Sequence, residues 1–258
     1  MKMVTLLKGT LAATAFATVA VGAHAQGLSS CLGLPDHAAL KLALDQAVST
    51  EASGLDLDMW ATIVDRDGIV CAVAFSGGDR GAQWPGSRVI SAQKANTANA
   101  FSLDFLALST ANLFSAVQPG GSLFGLQESN PVNVDAAYKG PSSNYGRPND
   151  PMVGQKIGGV NVFGGGLGLY DGTGVVGGVG LSGDTSCADH MIAWRVRNNL
   201  GFDKLGTVRE VSGDPSRPDN IIYDIVLNVN GGTGISASGF GHATCINTGD
   251  QTGLPAVQ

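Results

Sequence analysis

Apolar positions recur along the chain with two periods, and each period predicts an element. From His37 to Val48, Leu40, Ala43, Leu44, Ala47 and Val48 fall on one helical face, and Asp36 stands where an N-cap belongs. Trp60 to Val64 and Ile69 to Phe75 read as strands. The Asp65–Gly68 turn between them makes the pair a hairpin. After Gly86 a second helix is predicted, because Val89, Ala92, Ala95, Ala98 and Phe101 recur at a spacing of three. Leu103 to Phe114 extends that helix or forms another helical piece before Pro119-Gly120-Gly121 ends it. Between Asn130 and Lys156 no apolar period survives and four prolines intervene, which predicts a long loop. Strands are then predicted at Gly159–Phe163, Leu167–Tyr170 and Val175–Leu181. A third helix, Cys187–Leu200, follows, with Ser186 and Asp189 as a capping pair. A last strand is predicted over Ile221–Val229.

Hairpin-connected strands imply an antiparallel sheet. The amphipathic helices would cover it. The expectation is one α+β domain with a five- to six-stranded antiparallel sheet flanked by helices.

Residues 1–25 carry a different pattern. Lys2 and Lys8 precede an apolar run from Leu11 to Val21, and Ala23-His24-Ala25 fits a cleavage site. This predicts a secretory signal peptide. The run is shorter than the ~20 apolar residues that span a bilayer, and no later stretch reaches that length, so no membrane span is expected. Cleavage removes 25 of the 258 residues and both lysines, which takes the formal charge from −6 to −8. Such a chain lacks the basic surface that nucleic-acid binding needs. Export to the periplasm or beyond also suits Cys31, Cys71, Cys187 and Cys245, none of which has C-x-x-C spacing. Four cysteines allow three connectivities. The expected one joins Cys187 to Cys245, tying the tail to the core, with Cys31–Cys71 as second bridge.

Composition sharpens one region. Glycine makes up 38 of 258 residues, and 13 of them fall between Gly154 and Gly183. Glycine inside strands marks a bulge or the close approach of a ligand or another backbone. Only 14% of residues are charged, so a cation in a helix of small residues is informative.

Four stretches follow one another in a familiar order: Trp60–Gly68, Ser91–Ala98, Phe163–Leu167 and Val175–Gly183. Together they resemble the GlcG/HbpS-like family of haem-binding proteins. They are also similar to the C-terminal domain of some corrinoid adenosyltransferases. The resemblance covers roughly residues 36–130 and 157–200. It implies a profilin-like sheet, self-association into homo-oligomers, and haem or another tetrapyrrole as ligand. Residues 131–156 then read as an insertion and residues 201–258 as an extension of the domain that starts at residue 26. Leu167 stands where the family often has proline.

Haem needs an apolar slot, partners for its propionates and sometimes an axial ligand. His190 is the first candidate metal ligand and His242 the second. His37 reads as solvated and Met191 as core. Arg80, Arg88 and Lys94 are candidate anion contacts, and Gly164, Gly165 and Gly166 candidate backbone donors. No G-x-G-x-x-G spacing opens a helix in the manner of a Rossmann fingerprint, and there is no P-loop or G-x-S-x-G elbow. The reading is an exported haem-binding protein for uptake, storage or sensing. The alternative is a periplasmic enzyme or binding protein for a small carboxylated metabolite, in which Asp184, Asp189 and His190 do acid–base or metal work. A third possibility is an assembly role for the glycine-rich sheet.

Overall fold

The computed structural model describes residues 31–228, 231–232 and 234–258, so the signal-peptide expectation lies outside the described residues. The elements run α1 (His37–Val48), β1 (Trp60–Asp65), β2 (Val70–Phe75), α2 (Ser87–Phe101), a four-residue helix α3 (Val134–Ala137), β3 (Gly166–Tyr170), β4 (Val175–Ser182), α4 (Ser186–Asn199), and two short strands, β5 (Ile225–Val226) and β6 (Ile235–Ser236). The main sheet is antiparallel with order β2-β1-β4-β3. Among the described residues β5 and β6 pair only with each other.

Local chemistry explains the ends. Asp36 caps α1 by accepting the Ala39 N–H at 2.9 Å. The β1–β2 turn is held by Asp65, whose Oδ1 accepts from Asp67 and Ile69. Gly68 sits there at φ +76°, where a side chain would be strained.

The main sheet has four strands, not the five to six expected in one sheet. Gly159–Phe163 is not a strand because α2 side chains take its backbone. Gly159 O accepts from Asn96 Nδ2, and Asn161 N–H donates to Thr97 Oγ1. Of the strand expected over Ile221–Val229, residue 229 lies outside the described residues, and among the described ones only Ile225–Val226 is a strand. Ile221 N–H goes instead to side chains, His190 Nε2 and Asn220 Oδ1. The cap of α4 is Thr185 rather than Ser186, its side chain accepting the Ala188 N–H. Leu103–Phe114 forms no α-helix, only turns with a 3-10 piece at Ala111–Leu113.

Both faces of the sheet are covered. Against α1 and α4 it buries Ala61, Ile63, Ala72, Leu167, Leu169, Val179 and Leu181, with Leu40, Leu44, Met191 and Trp194 opposite. Against α2 the packing is far closer. A Cβ on Gly180 would stand 2.0 Å from Ser91 O, and one on Gly178 would stand 2.3 Å from Ala95 O. The glycine-rich block is thus the seat of a helix whose backbone lies directly on the strands.

The loop over 131–156 is ordered onto the sheet edge. Gly146, at φ +72°, presses on Trp60 and Phe75, where a Cβ would meet Phe75 at 2.3 Å. The disulfides are Cys31–Cys71 and Cys187–Cys245, with Cα separations of 5.6 and 6.0 Å, the pairing expected from the sequence. No helix among the described residues is long and apolar enough to cross a membrane.

Candidate functional site

The sequence candidates fall in two places. The first is a buried polar cluster where α2, the glycine triplet and the start of α4 meet. Lys94 is carried into it by the face of α2 that lies on the sheet. Its ammonium donates to Asp189 Oδ2 at 2.6 Å and to Leu181 O at 3.1 Å. The other Asp189 oxygen accepts the Gly183 and Asp184 N–H groups. Burial pushes the Asp189 carboxyl up to about 6, against the pull of Lys94.

His190 and His242 are buried beside this pair. His190 Nε2 accepts the Ile221 N–H at 3.2 Å. His242 Nε2 accepts the Gly164 N–H at 3.3 Å, and its Nδ1 donates to Ala243 O at 2.6 Å. The His242 ring lies 4.7 Å from that of Phe114. Burial, followed by the charge of Arg197, holds His190 down to about 3, and burial holds His242 down to about 4. Both imidazoles are therefore neutral, and backbone amides occupy their accepting nitrogens.

The glycine triplet closes the cluster. A Cβ on Gly164 would stand 2.2 Å from Ser186 O, and one on Gly166 would stand 2.5 Å from Lys94 O. Asp184 is occupied elsewhere, accepting from Leu55 and Leu57. Asp184, Asp189 and His190 are neighbours in sequence, but their side chains make no hydrogen bond to one another. Met191 lies in the core as expected. His37 is half-buried, its Nε2 3.0 Å from Gly146 O, rather than solvated.

Arg88 belongs to the second place. It is buried, and its guanidinium grips Asp150 with two nitrogens and donates to Ala137 O at 2.7 Å. It also stacks on the Tyr145 ring, 3.6 Å from the centroid. Asp150 in turn accepts the Gly146 and Met152 N–H groups. One ion pair thus pins the 131–156 loop to α2. Beside it opens a cleft of about 530 Å³, lined by Trp60, Arg80, Pro85, Tyr138, Tyr145 and neighbouring loop residues. That volume is in the range of small-molecule sites.

The cleft has a fixed wall and a free edge. Tyr145 is fixed by Arg88 and donates its hydroxyl to Tyr138 O at 3.1 Å. Trp60 is buried, stacked edge-on against Phe75, and its indole N–H has no partner among the described residues. Tyr138 and Arg80 are exposed at the rim. The lining fits a tetrapyrrole: flat aromatic walls, a guanidinium for a carboxylate, and a phenol of the kind that can ligate haem iron. Sequence reasoning named Arg80 but missed Tyr138, Tyr145 and Trp60. Two tyrosines within a proline-rich stretch of a chain with four tyrosines in all were the available signal.

A family profile described as "Haem degrading protein HbpS-like" matches residues 35–197. Among solved structures, the chain is similar to a PduOC:heme complex, with 23% identity over 65% of this chain and 94% of that one, TM-score 0.44. It is similar to Klebsiella pneumoniae protein ORFY, at 24% identity over 64% and 90% of the two chains, TM-score 0.44. It is also similar to HbpS, at 14% identity over 76% and 97%, TM-score 0.39. No curated protein matches the chain.

Proposed function

The chain belongs to the HbpS-like haem degrading protein family, and from that premise we propose that it binds haem in the cleft between Arg80 and Tyr145. The observation that carries this reading is the lining itself, with Trp60, Tyr138 and Tyr145 as walls and Arg80 at the rim. Arg80 is the propionate partner. Tyr138 is an exposed phenol at the cleft and the oxygen donor proposed for the iron. Haem, when bound, supplies a redox-active iron centre.

The assignment moves the site away from His190 and His242. Neither residue lines the cleft. The carboxylated-metabolite reading takes Arg88, Lys94, the glycine triplet and the Asp184/Asp189/His190 cluster as its features, and Arg88 and Lys94 are its cations. Each of these already holds an internal carboxylate, Asp150 and Asp189. The proposed setting is export, with the haem held for uptake, storage or sensing. Two disulfides are compatible with an oxidising compartment. Self-association belongs to the same proposal, and exposed Phe105, Phe124 and Phe163 are consistent with it.

Titrating purified, oxidised chain with haemin tests the reading. A shifted Soret band that saturates at one haem per chain is expected. Tyr138→Phe should change its position or weaken binding. A spectrum equal to that of free haemin throughout the titration overturns the proposal.

A further inference from the structure

The Cys187–Cys245 bridge has a third potential ligand beside it. One ring nitrogen of His242 and the two sulfurs all lie within 4.8 Å of one another. Ser186 Oγ is 3.6 Å from Cys245 Sγ. The three side chains come from two segments, the first turn of α4 and the stretch 242–245, which the bridge ties together.

The surroundings are those of a built site. Cys187 and His242 are buried, and Cys245 is half-buried. Ala111 and Ile221 pack against Cys187, with Tyr223 and Cys245 beside them, and keep the surroundings apolar. The Ala243 carbonyl takes the Nδ1 proton and fixes the tautomer and ring plane. The lone pair is left on the other nitrogen, which accepts the Gly164 N–H at 3.3 Å, a contact that a cation bound there would displace.

We propose that Cys187, Cys245 and His242 form a binding site for a soft, four-coordinate divalent cation of the zinc class when the bridge is reduced. Two thiolates and one imidazole are a donor set such cations take, with a fourth position for Ser186 or water. The chemistry balances. A dithiol or phosphine reductant gives two electrons to the S–S bond and is itself oxidised, and two thiols form. The cation then displaces both thiol protons and closes Cys187–M–Cys245 in place of Cys187–Cys245. The same tail is thus fastened in either redox state, covalently when oxidised and by the metal when reduced.

The second bridge is an internal control. Cys31, Cys71 and Asp65 also lie within 4.8 Å of one another, but their third ligand is a carboxylate, a harder donor.

The test uses the full exported chain, reduced anaerobically and titrated with cobalt(II) as a coloured stand-in for zinc. Uptake of one cobalt per chain with thiolate-to-cobalt charge-transfer absorption is expected. His242→Ala should weaken that binding by at least ~10-fold, and Cys31→Ser/Cys71→Ser should leave it intact. If the reduced chain loses native circular dichroism, cobalt should restore it in the wild type and not in His242→Ala. The proposal is overturned if the reduced chain takes up no cobalt and cobalt restores no structure. It is equally overturned if His242→Ala binds as well as wild type, or if the Cys31/Cys71 variant loses the band.

Discussion

Two regions of this molecule hold its informative cations, and they are built in opposite ways. Under α2, Lys94 is sealed between glycine-faced strands and the start of α4, and every polar atom of the Lys94–Asp189 pair meets a protein partner. At the edge of the sheet, Arg88 is equally buried, but the loop it anchors leaves a cleft open to solvent. The first arrangement ties α2 to the sheet and to the start of α4. The second uses one ion pair to position tyrosines beside a void. A buried cation in a charge-poor chain therefore has two meanings, and what surrounds it separates them.

Four experiments test that contrast, in order of expected effect. Lys94→Ala leaves the Asp189 carboxylate buried without its partner. It should cost about 3–5 kcal/mol in urea unfolding. A cost below ~1 kcal/mol would mean that the cluster is not the internal tie described.

The pH dependence of stability comes next. His190 and His242 have folded pKa values of about 3 and about 4, below the ordinary 6.5. Their contribution is present above pH 6.5 and is lost as pH falls toward those values. Asp189 runs the other way. Its pKa is raised from 3.8 to about 6, so its contribution is present below pH 3.8 and is lost as pH rises through 6. Two groups against one leave a net loss on acidification from pH 6.5 to 4, of roughly 1.4 kcal/mol per pH unit at its steepest. Urea midpoints measured across that range should fall. His190→Gln and His242→Gln should each flatten the slope, and an unchanged slope would break the picture of two buried neutral imidazoles.

Arg80→Ala probes the other region. A charge-assisted contact is worth about 1.5–3 kcal/mol, so haem affinity should drop at least ~10-fold. Unfolding should stay within ~0.5 kcal/mol of wild type, as for an exposed residue. Equal losses in both measurements would erase the distinction between the regions. Thr185→Ala should have the smallest effect, about 1 kcal/mol of stability from the lost cap, with haem binding unchanged.

How much of this was legible beforehand depends on whether the cause was local. Helix α1 has the bounds that its apolar period and Asp36 predict, because capping and amphipathicity act within a few residues. The β1–β2 hairpin follows for the same reason. The strand expected at Gly159–Phe163 failed because its backbone partners are Asn96 and Thr97, 63 and 64 residues away. Nothing in the apolar pattern announces a side chain that will replace a ladder. Asp150 and Tyr145 were missed in the same way. The Arg88–Asp150 contact spans 62 residues, and only the folded loop brings them together. The glycine block was located correctly as a place of close approach. What approaches there, the α2 backbone, is a tertiary fact.

The order of the two bridges along the chain has a consequence for assembly. Cys31 joins Cys71 and Cys187 joins Cys245, so the loops are consecutive and do not interleave. A polypeptide emerging N-terminus first, from a ribosome or through a membrane pore, presents its cysteines in that order. An oxidant that couples each newly exposed thiol to the one before it makes the native pairs directly. The first loop closes before the glycine-rich strands have appeared, and the second needs nothing from the first. Correct oxidation then requires speed rather than proofreading, and a disulfide isomerase has no wrong bridge to undo.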